Sequence, residues 1–306
     1  MANLQDNFIT EDVDLLPPTD DRIFKTLLTH PNAKQVLIDV ISTVIEQKVT
    51  DVLIRNNELP AMDTEEKAER FDVNCTIENG DQVNVEMHCE ERVETGVVRV
   101  NFLNKYTYYL TDLHSSQKSK GIRYKDLKRT YQITFSLHTV FPNRSDFVHR
   151  FSLRTIDGEQ LTDQINMIII ELSKLYTSVK KPAETLTSFE KWSLFFKFAD
   201  DPVHRSLINA IIREKEEICM AATLLREISE DEHERARIRS RRMYEMDKYS
   251  DYHTAIEIGE IRANEKWQAI VAEKDKTIAR KLLAEGSTPE FVQKITGLSL
   301  EEIAKL

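Results

Sequence analysis

The chain has 306 residues, enough to bury a large core, and 41% hydrophobic and 31% charged residues with only 7 Gly and 8 Pro exclude a largely disordered protein. A net charge of -10 and a pI near 5.4 exclude a surface coated in bases, so any nucleic-acid contact must use a local patch. No stretch approaches the roughly 20 apolar residues of a membrane span, and the opening MANLQDNFITEDVDLL lacks the basic and apolar runs of a signal peptide, so the chain reads as cytoplasmic with no membrane partner.

In chain order, a polar tail comes first, and Thr19 or Asp20 can cap a short helix to about Leu28, where HPN breaks it. In NAKQVLIDVISTVIEQK, Val36, Leu37, Val40, Ile41, Val44 and Ile45 have the spacing of a helix that buries one stripe, and VTDVLI reads as a strand. Two alternating runs around Asn79-Gly80, FDVNCTIENGDQVNVEMHCEE, read as a hairpin. RVETGVVRVNFLNKYTYYLTDLH then places Val98, Phe102, Lys105, Tyr106 and Tyr109 on one helical stripe whose aromatic members can pack on a sheet. Residues 115–130, SSQKSKGIRYKDLKRT, set Lys118, Lys120, Arg123, Lys125, Lys128 and Arg129 against Asp126, as either a DNA-backbone patch or a solvated loop.

In TYQITFSLHTVF, Tyr131, Ile133, Phe135 and Leu137 alternate with Gln132, Thr134, Ser136 and His138, the pattern of a half-buried strand; FVHRFSLRT and INMIIIEL add two more. The order helix, three strands, helix, strand implies a mixed α/β sheet in which the strand after the helical crossover runs parallel to an earlier one. From about Pro182 the chain turns helical and charged, and RARIRSRR (residues 235–242) reads as a helix face that pairs with acidic neighbours. Short helices punctuated by Gly286 and Gly297 end the chain; they fit a helix-turn-helix loosely, but SLEEIAKL has few groove-reading side chains. Packing or self-association into a homo-oligomer is the expected role. The three cysteines, Cys75, Cys89 and Cys219, lack metal-site spacing and read as reduced, buried thiols.

Hairpin register decides which side chains meet. A two-residue loop mixes apolar with polar residues on both faces, whereas a three-residue loop, Glu78-Asn79-Gly80, pairs Phe71 with Met87, Val73 with Val85 and Cys75 with Val83 on one apolar face. Asp72 then lies opposite Glu86 and Asn74 opposite Asn84, with His88 one step further on the same polar face. Opposed like charges weaken a sheet by up to about 1 kcal/mol. A divalent cation, a raised pKa on one acid, or acids splayed into solvent on an exposed face would each relieve the pair.

The early DRIFK (residues 21–25), the acid in FDV, the short hairpin and VNVEM resemble the recombination-promoting nuclease (Rpn) family. Its members are also described as transposases, and it lies within the PD-(D/E)XK nuclease superfamily. RVNFLNKYTYYL, GIRYKDLKRTYQITF, FEKWSLFF and EGSTPEFVQKITGLSLEEIAKL extend the resemblance over most of the chain. It implies a PD-(D/E)XK restriction-endonuclease-like core, αβββαβ with a mixed sheet, followed by a helical C-terminal region. The domains then read as a tail (1–18), a nuclease-like domain (19–178), a helical region (179–250) and a charged helix with a helix-turn-helix-like segment (251–306).

The resemblance places the family's metal-binding aspartate on Asp72 and the glutamate of its E-x-K or E-x-Q element on Glu86. His88 departs from that element: lysine there would stabilise phosphate charge or orient water, and glutamine could only position by hydrogen bonds. Histidine can donate a hydrogen bond, act as a base near neutral pH, or ligate metal. Asp21 resembles the supporting acid of the family's first helix, with a helix-start acid as the alternative, and Lys25 would pair with it one turn later. The implied function is a Mg²⁺- or Mn²⁺-dependent DNA endonuclease. Asp72, Glu86 and the Met87 carbonyl would hold the ion, His88 would orient or deprotonate a water, and the basic segment would hold the DNA backbone. The alternative is a catalytically weakened nuclease fold that serves as a DNA-binding or assembly module.

Overall fold

The computed structural model describes residues 9–10, 13–55, 72–89, 96–117 and 123–306, apart from the side chains of 96–98, 241, 242 and 245. Helix α1 (Asp21–Thr29) starts where the Asp20 carboxylate accepts the N–H groups of Arg22 and Ile23, so Asp20 is the cap. Helix α2 (Lys34–Ile45) buries every residue of its expected stripe. There follow β1 (Val52–Ile54), β2 (Val73–Ile77), β3 (Gln82–His88), α3 (Gly96–Ser115), β4 (Thr130–Ser136), β5 (Val148–Ser152) and β6 (Ile165–Glu171). They form one six-stranded sheet in the order β1-β2-β3-β4-β6-β5. Strands β3, β4 and β6 are parallel, and β1, β2 and β5 pair antiparallel with their neighbours, so the sheet is mixed and the strand after the α3 crossover is parallel to β3, as expected.

The β2–β3 register is the one that gives a wholly apolar face: Val73 opposite Val85, Asn74 opposite Asn84, Cys75 opposite Val83. The loop is Glu78-Asn79-Gly80, closed by Ile77 N–H to Asp81 O at 3.0 Å and Gly80 N–H to Ile77 O at 2.9 Å. The pairing of Phe71 with Met87 lies outside the described residues. Gly80 has φ +92°, and a Cβ there would stand 3.1 Å from Lys128 Cε. Gly80→Ala is therefore expected to lower stability by about 1–2 kcal/mol, read by urea unfolding; no loss would mean the turn relaxes to another conformation.

One face of the sheet packs on α1, α2 and α4 (Ser188–Phe198). Phe24 of α1, Phe135 of β4 and Phe196 of α4 meet edge to face at 5.2–5.9 Å, and Trp192 stacks on Phe196 at 5.5 Å. The polar face is also buried, which corrects the half-buried reading of β4: Gln132, Thr134 and Ser136 are all at 0% exposure. The reason is α3, whose Phe102, Tyr106 and Leu110 lie over Met167 and Ile169 of β6 and Val140. Helices α5 (Arg205–Glu214) and α6 (Glu216–Glu230) follow α4, and α6 packs on α1 and α2. Before α1, Ile9 N–H donates to Asn209 and Leu16 N–H to Ser229, and Ile9 and Leu16 are both buried.

The fold divides into two compact units, residues 1–235 and 236–306, with helix α7 (Glu232–Ala284) running through the division. In the second unit, Thr288 caps α8 (Pro289–Thr296), Gly297 ends it in the left-handed region, and a Ser299–Glu302 capping box starts α9 (Leu300–Ile303). Ala279, Val292 and Ile303 form its small core. No helix among the described residues is long and apolar enough to cross a membrane.

Candidate active site

Asp72 lies one residue before β2, and the register brings it to Glu86 on β3. Asp72 N–H donates to Glu86 Oε1 at 3.2 Å, and Met87 N–H donates to Asp72 Oδ2 at 3.0 Å. Glu86 is only 4% exposed, so the acids do not splay into solvent. Burial pushes Asp72 up to about 6 and Glu86 up to about 8, and the charge of Asp72 adds to the rise of Glu86. The charges of Lys25 and Lys105 act on Asp72 in the opposite direction, as does that of Lys105 on Glu86.

A buried polar row runs from Glu86 through Asn84 on the same strand to Gln132 and Thr134 on β4. Asn84 Nδ2 donates to Glu86 Oε1 and to Gln132 Oε1, both at 2.9 Å, and Gln132 Nε2 donates to Thr134 at 3.2 Å. Both bonds to Glu86 fall on Oε1, which leaves Oε2 for another partner. The carbonyl of His88 accepts Leu137 N–H on the β4 side, so the main chain of Met87, one residue earlier, faces the β2 side where Asp72 sits. Among the described residues no three His, Cys, Asp or Glu side chains are placed to hold a metal ion together. Two carboxylates and one main-chain oxygen, all hard donors, nonetheless suit Mg²⁺ or Mn²⁺, which keep several waters. A buried acid pair in which both members are held toward the neutral form would gain from that charge.

His88 is 5% exposed, between the rings of Phe102 at 4.6 Å and Tyr106 at 5.9 Å. Its Nδ1 lies 3.2 Å from the Tyr106 hydroxyl, and its Nε2 has no hydrogen-bond partner among the described residues. Burial, then the charge of Lys105, push its pKa down to about 4. It is thus held in its neutral form, which can accept a proton or orient a water but lacks the charge that lysine would carry there.

Asp21 is the first residue of α1, and the thiol of Cys89 donates to its Oδ1 at 2.8 Å. The charge of Asp21 is felt at Asp72 and His88, so the helix start and the strand end share one electrostatic neighbourhood. Cys75 and Cys219 are buried free thiols, while Cys89 is partly exposed.

The described end of the basic segment lies away from the acid pair. Lys118 and Lys120 lie outside the described residues. Arg123 pairs with Asp126 at 2.6 Å and Arg129 with Asp163 at 2.5 Å, so both arginines already have carboxylate partners. Lys128 and Arg129 lead into Thr130, which pairs with Gln82 at the start of β3, while Glu86 pairs with Thr134. Four residues of strand, roughly 13 Å, separate the segment's end from the acid pair.

Sequence reasoning did not find Asn84, Gln132, Tyr106 or Lys105 as parts of this neighbourhood, although alternation already put Asn84 on the face of Glu86. Nor did it find the buried cluster at the end of β6. There Glu171, at 0% exposure, accepts the N–H groups of Val140 and Phe141, the Lys174 ammonium and a nitrogen of His149.

A protein-family model described as PD-(D/E)XK nuclease family transposase matches residues 18–255, and one described as Rpn/YhgA-like nuclease family, C-terminal HTH domain, matches residues 272–306. Neither curated proteins nor solved structures yield a match. The mixed sheet and the matched span agree, and the chain belongs to the PD-(D/E)XK nuclease family transposases.

Proposed function

We propose that the protein is a metal-dependent DNA endonuclease that hydrolyses phosphodiester bonds. The observation that carries this reading is the opposed pair of half-buried Asp72 and buried Glu86 at the carboxyl end of β3. Asp72, Glu86 and the Met87 carbonyl would hold Mg²⁺ or Mn²⁺, whose chemistry when bound is to lower the pKa of a coordinated water and neutralise charge on the scissile phosphate. Asn84 fixes one oxygen of Glu86 and thereby selects which oxygen faces the ion. Neutral His88, held by Tyr106, would orient the attacking water through Nε2. The lysines of the basic segment would touch the DNA backbone away from the cut.

Incubating purified protein with supercoiled plasmid and Mg²⁺ tests this: the parent chain nicks DNA, EDTA stops it, and Asp72→Ala lowers the rate by about 10³-fold. Cleavage that survives both Asp72→Ala and Glu86→Ala would overturn the site. The neutrality of His88 favours one second reading, a nuclease fold retained for DNA binding or assembly. Binding at low salt with no cleavage in Mg²⁺ or Mn²⁺ would establish it.

A further inference from the structure

The acid pair and His88 lack a lysine on their own strand, but the helix that covers His88 carries one. Lys105 lies on α3 next to Tyr106, the residue that meets His88, and its ammonium sits 5.2 Å from the ring of Tyr106 and 5.7 Å from that of Tyr109. Those rings hold the ammonium beside the site by attraction to their faces. The side chain is exposed, so the charge is available to a bound phosphate. Its field reaches Asp72, Glu86 and His88 alike.

We propose that Lys105 is a catalytic residue that supplies, from helix α3, the positive charge for the scissile phosphate, because the strand position two residues after Glu86 holds His88 and not a lysine. The proposal rests on the nuclease reading above. Compared with a lysine in the strand, Lys105 reaches the phosphate from the helix side, and its aromatic neighbours replace the strand as the support that keeps it in place. As charge develops on the phosphoryl oxygens, a preorganised ammonium is stronger toward the transition state than toward the bound ground state, so its loss falls on kcat rather than KM.

The test compares the parent chain with Lys105→Met, Lys105→Arg and Lys105→Met/His88→Lys, using plasmid nicking in Mg²⁺, binding of a short duplex in Ca²⁺, and Mn²⁺ titration by calorimetry. Lys105→Met is expected to lower kcat by about 10²-fold with duplex affinity and Mn²⁺ binding nearly unchanged, Lys105→Arg to recover part of the rate, and His88→Lys in the Lys105→Met background to restore it. Parental kcat in Lys105→Met would overturn the role of Lys105 and leave the nuclease reading intact. A parent chain that binds Mn²⁺ yet cleaves nothing would overturn both.

Discussion

Glu86→Gln is expected to yield a protein that is more stable than the parent at pH 8 without metal and that no longer cleaves DNA. The amide keeps an oxygen for Asp72 N–H and Asn84 Nδ2, so the packing of the site survives. What it removes is one of two buried negative charges. In the folded chain both acids have pKa values above their ordinary ones, to about 6 for Asp72 and about 8 for Glu86. Folding therefore takes up protons between about pH 4 and pH 8, and by linkage the metal-free protein loses stability as pH rises through that window. Asp21 adds to the repulsion on Asp72, while Lys25 and Lys105 offset part of it. The loss between pH 5 and pH 8 should be several kcal/mol, on the order of 5, since each tenfold change in proton affinity is worth about 1.4 kcal/mol. Thermal unfolding at pH 5 and pH 8, with EDTA or Mg²⁺, reads it: the parent should lose melting temperature toward pH 8 and regain it with Mg²⁺, and Glu86→Gln should flatten both responses. A parent whose melting temperature rises toward pH 8 without metal would contradict the picture of mutually repelling acids. The same substitution should lower the nicking rate by at least about 10³-fold, since a cation then faces a single carboxylate.

Glu171→Ala is expected to cost about 3–5 kcal/mol of folding stability, the range for removing one partner of a buried ionic group. Glu171 closes β6 with four donors on its two oxygens, and Lys174 also donates to Phe141 O at 2.7 Å. Alanine would strand the ammonium, the imidazole and two main-chain N–H groups inside the protein. Val140, one of the residues so held, belongs to the cluster with Phe102 and Tyr106, which flank His88. Denaturant unfolding gives the magnitude, and a cost under about 1 kcal/mol would show that water or neighbouring groups readily take the place of the carboxylate. Glu171→Leu with Lys174→Met should recover much of the loss, because an apolar replacement leaves no uncompensated charge.

Strand and helix order was legible because apolar periodicity records which face is buried. The hairpin register was legible for a sharper reason: only one loop length put Val73, Cys75, Val83 and Val85 on the same face. Burial of the other face was not, since alternation shows that Asn84, Glu86, Gln132 and Thr134 point together but says nothing of what covers them. Only the aromatic stripe of Phe102, Tyr106 and Tyr109 hinted at the cover. Glu171 was hidden within an apolar run, where one acid reads as the end of a strand. The basic segment was read from its charge alone, as a DNA-backbone patch or a solvated loop, and charge says nothing of position; the parallel strands place its end by Gln82, not by His88. Lys105 was visible as a polar member of an aromatic stripe, and only the fold shows which acids feel its charge.

The loop at Glu78-Asn79-Gly80 has a consequence beyond the turn itself. Side chains alternate along a strand, so loop length acts as a phase setting between two halves of one chemical centre. Loss or gain of a single codon there would leave every coding residue of the centre intact, yet a resulting slip in register would break the apolar face and part Asp72 from Glu86 at the same time. Insertions and deletions at this surface turn are thus constrained by chemistry about 20 Å away along the strand, and in related chains its length should vary far less than that of an ordinary exposed loop.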